Sequence, residues 1–265
     1  MRVAVLGGRG TVGGVVTKGL SPSKYTVTSI TRDQVDLFDT GAVDAYFSRN
    51  PFDVVVNCAI NSVSRLDAPA TVASDNLTLF ANLYAHREKF GRVVHFCSGA
   101  EFDCSRHIVN AREETLFTSM PSDPYGVSKN ATARISHGTD NFYNLRLFGV
   151  FYPTELPRRL LPLILAGKPV TITDKYFDYL YLEDIVPLVE YYIDTPVPKY
   201  KDVNAVYTEK TQLSEFVRKF IDVNNLDVKI PIAAERALDY TGDGTRWAEL
   251  DLPRLGQLEG MKRYI

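Results

Sequence analysis

The chain has 265 residues, 45% of them hydrophobic and 23% charged, proportions that exclude disorder and collagen-like repeats. Thirty basic against 32 acidic residues leave a formal charge of −2, so no cationic excess points to a nucleic acid or an anionic membrane. No apolar run reaches the roughly 18 residues of a membrane span, the glycines of MRVAVLGGRG interrupt any signal-peptide core, and Cys58, Cys97 and Cys104 make neither a disulfide framework nor a zinc spacing. A reducing cytoplasm is the expected compartment.

In chain order, residues 3–6 read as a buried strand ending in glycines and 11–19 as a helix. A strand at 25–31, a helix at 40–49 and a strand at 54–58 (VVVNC) follow. A long helical stretch covers 71–89, then come a strand at 92–97, a helix at 125–137 and a strand at 144–148. Nearly continuous apolar strands alternating with helices predict an α/β fold: a doubly wound parallel sheet of the Rossmann type, with ligands beyond the carboxyl ends of the strands. Beyond Pro153 the texture changes: a helix at 158–166, short strands at 169–173, 179–182 and 203–205, and helices at 184–194 and 213–223. The last 40 or so residues hold no long periodic segment. The expected organisation is a dinucleotide-binding domain at 1–153, with 176–205 packing back on it. A smaller C-terminal substrate-binding lobe would comprise 154–175 and 206–265.

Gly7-Gly8-Arg9-Gly10-Thr11-Val12-Gly13 joins the first strand to the first helix. Glycines at 7, 10 and 13 suit a tight turn, close approach of a pyrophosphate to the backbone, and close helix–sheet packing. The helix N-terminus adds unpaired N–H groups and partial positive charge. A dinucleotide cradle is predicted, with the backbone of Thr11 and Val12 inside it. Which dinucleotide it takes depends on the end of the second strand. There Arg32 stands where an acidic residue would favour NAD, and Arg9 lies in the glycine turn. Two guanidinium forks match a 2′-phosphate, so NADP is favoured over NAD, while Asp33 keeps the NAD reading open.

Tyr125-Gly126-Val127-Ser128-Lys129 places a phenol and an ammonium one turn apart on a helix opened by Pro124, and Ser98 ends the fourth strand. A tyrosine titrates near 10, so it serves as an acid–base group at neutral pH only where cations favour its phenolate, which Lys129 would do.

These segments together resemble the extended short-chain dehydrogenase/reductases, the family of sugar-nucleotide epimerases, dehydratases and reductases. GGRGTVG, TRDQVDLFD, DVVVNCA, the Ser98 strand end, YGVSK, NLRLFGVFYP, FDYLYLEDI and DVNAV fall in the family's order, from Arg2 to the C-terminus. The pattern is most similar to its dTDP-4-dehydrorhamnose reductase and GDP-fucose synthase branches. The resemblance implies that Ser98, Tyr125 and Lys129 are the catalytic triad. It also implies that Asp36 and Leu37 line the adenine, Cys58 and Ala59 the middle of the cofactor, and Phe148 to Val150 the nicotinamide. Arg9 and Arg32 match positions that hold the 2′-phosphate, and a homodimer through the helical stretches at 71–89 and 125–129 is expected.

The departures from the pattern narrow the chemistry. The acid–base pair of an epimerising synthase falls on Ala100 and Arg159, neither of which shuttles a proton at neutral pH. The acidic pair of a dehydratase falls on Gly99-Ala100, with Glu101 one place late. The family's arginine before FDYLYLED is Phe177, and its asparagine after the fifth strand is Gly149. The reading that survives is an NADPH-dependent reductase of a 4-keto nucleotide-linked deoxysugar. Arg159, Lys168 and Arg246 are its candidate substrate contacts, beside Ser98 and Tyr125. An NAD-dependent nucleotide-sugar 4-epimerase is the alternative, followed by a non-catalytic dinucleotide sensor.

Overall fold

The computed structural model describes residues 1–61 and 71–265. In chain order the elements are β1 (Arg2–Leu6), α1 (Thr11–Gly19), β2 (Thr26–Ile30), α2 (Thr40–Arg49), β3 (Val54–Asn57) and α3 (Val72–Tyr84). Then come β4 (Arg92–Ser98), β5 (Ile108–Ala111), α4 (Pro124–His137), β6 (Phe142–Leu147), β7 (Gly149–Phe151) and α5 (Leu160–Leu165). β8 (Ile172–Asp174), β9 (Tyr179–Tyr181), α6 (Ile185–Asp194), β10 (Asp202–Ala205) and α7 (Leu213–Val223) follow. β11 (Ile232–Arg236), β12 (Tyr240–Gly242), α8 (Thr245–Ala248) and α9 (Gly256–Lys262) complete the chain.

Six strands form a parallel sheet in the order β2-β1-β3-β4-β6-β10. The α/β, Rossmann-type expectation therefore holds. Alternation along each strand divides the apolar side chains between two faces. Val3 and Val5 of β1 join one cluster with Val16 of α1 and Leu188 and Val189 of α6. Ala4 and Leu6 join the other, with Phe47 of α2 and Phe80 and Leu83 of α3. Both faces are covered, which is why the strands carry apolar residues at consecutive positions. The chain order reverses between β1 and β3, so the crevice there opens at the strands' carboxyl ends.

A third cluster lies beside the sheet. It gathers Phe151, Leu161 and Ile164 with Tyr181, Phe216 and Phe220, and with Met261 and Tyr264 near the C-terminus. Among the described residues, three parallel two-stranded pairings accompany the sheet: β7 with β9 and β8 with β11 at this cluster, and β5 with β12 at a fourth one formed with Cys97, Phe102, Leu116 and Ala133. Strands at 108–111, 149–151, 232–236 and 240–242 are absent from the periodicity reading. Each is three to five residues long and pairs with a partner distant in sequence, so no local alternation marks it. The long helix expected at 71–89 ends at Tyr84; after a break at Ala85 and His86, a 3₁₀ turn covers Arg87–Lys89. The helix expected from 158 begins at Leu160 instead.

Candidate active site

Gly7 follows β1 with a φ of 73°, in the left-handed region that glycine adopts without strain. Its N–H donates to the Ile30 carbonyl at 3.0 Å, and its own carbonyl accepts from the Gly10 N–H at 2.8 Å, closing a tight turn. A Cβ on Gly13 would lie 2.4 Å from the Gly7 carbonyl oxygen, so α1 reaches this turn only with glycine there. The first turn of α1 is thus pressed against the carboxyl end of β1, where its unpaired N–H groups meet a cleft of about 470 Å³. That cleft is lined by Gly7, Gly10, Thr11, Val12, Gly13 and Cys58, and at its far end by Ser98, Tyr125, Lys129, Phe148, Val150 and Arg159.

At one end it meets a second cleft of about 220 Å³ that shares Gly7 and Ile60 and includes Arg32, Asp36, Leu37 and Ala59. Arg32 Nη2 lies 3.2 Å from Asp36 Oδ2, and the guanidinium stands over the Phe38 ring. Arg9 pairs with Asp33 at the surface and is not among the residues lining either cleft. Both arginines are about three-quarters exposed. Pairs this wet contribute little, so an incoming phosphate would exchange for the carboxylates at small cost.

The other end is built by three elements. Asp123 caps α4, accepting from the Gly126 N–H at 2.9 Å, with Pro124 at the first helical position. Tyr125 therefore sits in the first turn and Lys129 one turn later, on the same side. A Cβ on Gly126 would lie 2.8 Å from the Ala100 carbonyl oxygen, so this glycine lets α4 close onto the turn after β4. Lys129 is buried, and its Nζ donates to the Phe96 carbonyl at 2.9 Å. Ser98 ends β4 and caps a 3₁₀ turn at Gly99–Phe102. Its Oγ accepts from the Ala100 N–H at 3.2 Å, and its own N–H donates to Glu101 Oε1 at 2.9 Å.

Glu101 faces away from the clefts. It is fully buried, and its Oε2 accepts from Arg146 Nε at 2.7 Å; Arg146 is fully buried as well and donates from Nη1 to Asn204 Oδ1 at 3.1 Å. Burial pushes the Glu101 carboxyl upward while Arg146 draws it back down. The carboxylate that stands one place late for dehydratase chemistry is thus a buried anchor for Ser98. Nothing in the sequence pattern marked this anchoring role, because its partner comes 45 residues later on another strand.

Ser98, Tyr125 and Phe148 also line a third cleft of about 540 Å³, whose far wall carries Lys175, Phe177 and Tyr240. Two departures from the family pattern, Gly149 and Phe177, meet here. A Cβ on Gly149 would lie 2.2 Å from Phe177 Cε1, so the ring occupies the space a side chain at 149 would need. The Phe148 ring is likewise wedged between Gly99 and Gly242, whose Cβ atoms would fall 2.5 Å and 2.6 Å from it. Phe148, Tyr240 and Phe177 form a continuous aromatic wall, with centroids 4.9 Å and 5.5 Å apart.

The remaining candidate residues lie differently. Arg159 borders the glycine-turn cleft, with its Nη2 donating to the Val150 carbonyl at 2.8 Å and its Nε 3.0 Å from Glu155 Oε2. Lys168 is exposed beyond α5 and lines none of the three clefts. Arg246 is tied to the start of β10, donating to the Asp202 carbonyl at 3.0 Å and pairing with Glu113 and Glu114, also outside the clefts. Among the described residues no group of His, Cys, Asp and Glu side chains could hold a metal ion, and no helix is long and apolar enough to cross a membrane.

The model of a family described as the NAD dependent epimerase/dehydratase family matches residues 3–205. No curated protein matches the chain in sequence. Among solved structures, UDP-glucose 4-epimerase from Thermotoga maritima superposes with a TM-score of 0.83 at 18% identity, covering 100% of this chain and 97% of that one. GDP-mannoheptose C4 reductase from Campylobacter jejuni, with NADP bound, gives 0.84 at 16%, covering 99% and 96%. dTDP-4-dehydrorhamnose reductase from Bacillus anthracis, in complex with NADP, gives 0.84 at 17%, again covering 99% and 96%.

Proposed function

Because the chain belongs to the NAD dependent epimerase/dehydratase family, and is thus an NAD(P)-dependent enzyme, we propose that it reduces a 4-keto nucleotide-linked deoxysugar with NADPH. The observation that carries this reading is the position of Ser98 and Tyr125, which line both the cleft built on the glycine turn and the cleft walled by Phe148, Phe177 and Tyr240. They stand where two ligands would meet. The glycine cradle fits a dinucleotide: Gly7, Gly10 and Thr11 to Gly13 would hold its pyrophosphate, with Leu37 and Ala59 beside the adenosine and Phe148 beside the nicotinamide.

A nicotinamide dinucleotide, when bound, supplies the hydride that reaches the carbonyl carbon. The chain's own residues manage the oxygen. The Tyr125 hydroxyl gives its proton to the carbonyl oxygen as negative charge develops there, so the ketone becomes a secondary alcohol. Ser98 Oγ donates a hydrogen bond to the same oxygen and fixes its direction. Lys129, a buried cation one turn along α4, lowers the cost of leaving a phenolate behind. Glu101 and Arg146 hold Ser98 in register from behind. With Ala100 and the ion-paired Arg159 at the epimerising positions, neither of those two side chains takes a proton from the carbon next to the ketone at neutral pH, which favours reduction without inversion at that carbon.

Three of the solved relatives are named for UDP-glucose, GDP-mannoheptose and dTDP-dehydrorhamnose chemistry, and they supply the substrate class as a likeness. The test is to follow NADPH oxidation with UDP-, GDP- and dTDP-linked 4-keto sugars. Tyr125→Phe should keep cofactor binding and lose about two to four orders of magnitude in turnover, the scale of general acid catalysis. Near-normal turnover in that variant removes Tyr125 from the mechanism. Interconversion of sugars by purified protein with no added NADPH would favour the 4-epimerase instead.

A further inference from the structure

A further cavity of about 710 Å³, larger than any of the three clefts, shares no lining residue with them. Its walls come from four stretches of chain: Val15 to Gly19 of α1, residues 152–154 after β7, residues 183–187 across the start of α6, and residues 253–255 ahead of α9. That volume lies in the range of small-molecule sites.

The walls are fixed before any ligand arrives. A Cβ on Gly19 would lie 2.5 Å from Val186 Cγ2, so α1 and α6 close directly on each other at the cavity. Pro153, Pro187 and Pro253 lock the backbone in the other three walls. Asp184 ties two of those walls together, its carboxylate accepting from the Leu255 N–H at 2.7 Å and the Gly256 N–H at 2.9 Å. Tyr152 is buried, and its Oη lies 3.0 Å from Thr11 Oγ1 in the first turn of α1. A site this rigid loses little freedom on binding.

The lining is apolar through Val15, Val186, Leu255 and the prolines, and it carries two cations, Lys18 and Arg254. Both are exposed, and neither enters an ion pair among the described residues. The Arg254 guanidinium stands over the Trp247 ring at 5.1 Å, a contact through its face that leaves the N–H donors unspent. The two carboxylates at the cavity are engaged elsewhere. Asp184 also accepts from the Tyr207 hydroxyl at 2.6 Å, and Glu183 is hydrogen-bonded to the Tyr181 side chain. The charge left open to a ligand is therefore positive, beside an apolar surface.

We propose that this cavity is a second ligand site, which takes a small amphipathic anion: an apolar body against Val15, Val186 and Leu255, with a carboxylate head between Lys18 and Arg254. A guanidinium fork and a mobile ammonium suit the two oxygens of such a head. The site stands apart from the nucleotide-sugar reading, because none of its residues lines a cleft that the reading uses.

The test uses the full chain and the fluorescence of 8-anilinonaphthalene-1-sulfonate, an apolar dye with one negative charge, displaced by octanoate or by octanol. NADP⁺ is kept at saturation throughout. Octanoate should displace the dye at a concentration about tenfold lower than octanol, the scale of one charge-assisted hydrogen bond. In the double variant K18M/R254M octanoate should lose that advantage, while octanol keeps its wild-type affinity. Equal affinities of octanoate and octanol for the wild-type protein overturn the proposal, as does an advantage that survives in K18M/R254M. Loss of the dye signal on adding NADP⁺ places the dye in the cofactor cleft and overturns it too.

Discussion

Arg32 carries the proposed preference for NADPH at the scale of a single side chain. It stands just beyond the end of β2, where an acidic side chain would meet a ribose hydroxyl, and its carboxylate partner Asp36 is four residues on, 3.2 Å away. Asp36 is held below the usual carboxylate range, first by the Phe38 N–H that donates to it and then by Arg32. It is therefore ionised at neutral pH and competes for the guanidinium, but only as a solvent-exposed pair. Under the NADPH reading proposed above, a 2′-phosphate would bring nearly two charges to the same fork and so outcompete that carboxylate. Arg32→Ala should raise the dissociation constant of NADPH by about tenfold or more, against less than about twofold for NADH. Fluorescence titration of both cofactors checks it, and equal losses for the two would remove the 2′-phosphate assignment.

At the scale of elements, the site depends on how closely α4 docks against the turn that follows β4. Gly126 has no left-handed backbone to explain it; the need is for space, since a methyl group there would meet the Ala100 carbonyl oxygen at 2.8 Å and Asp123 Oδ2 at 2.9 Å. Gly126→Ala should force the helix start outward, lowering stability by about 1–3 kcal/mol, as overpacking does, and separating Tyr125 from Ser98 so that turnover falls too. Thermal melting and steady-state rates together would show it. Wild-type values in both would mean that the contact gives way without moving the helix. Much of this architecture is legible in the sequence, because β1, β3 and β4 are apolar runs and α1, α2 and α4 open on glycine, aspartate or proline signals. The aromatic wall is not. Gly149 and Phe177 read as two unrelated departures 28 residues apart, and only the pairing of β7 with β9 brings them into contact. Tyr240 reaches the wall through β5 and β12, which pair Ile108 with Tyr240 across 132 residues, and two short strands without alternation give no local sign of that partnership. Glu101 is visible in the sequence only as an acid one place late for dehydratase chemistry, and its role as a buried anchor is intelligible only once Arg146 is seen beside it.

The whole molecule is held together partly by the segment that leaves the sheet after β7. Tyr152 Oη lies 3.0 Å from Thr11 Oγ1 in the glycine turn, its N–H donates to Glu155, and Glu155 pairs with Arg159 at the edge of the third apolar cluster. Burial raises the Glu155 carboxyl from 4.5 to about 6, although Arg159 and the Tyr152 N–H pull the other way. The direction of the linkage follows from proton counts. Between its unfolded value and about 6 the native chain holds this proton more often than the unfolded chain does, so the contribution of Glu155 to stability increases as pH falls through that window. Above it, the native state keeps a carboxylate that burial disfavours. Glu155→Gln has no proton to exchange, and its amide oxygen can still accept from Tyr152. Urea unfolding at intervals between pH 7.5 and 4.5 should therefore show wild type gaining on the variant as the solution is acidified, by about 1 kcal/mol over the range once the partial solvation of the pair is allowed for. A difference that is flat with pH, or that shrinks on acidification, would place the Glu155 proton outside the folding equilibrium.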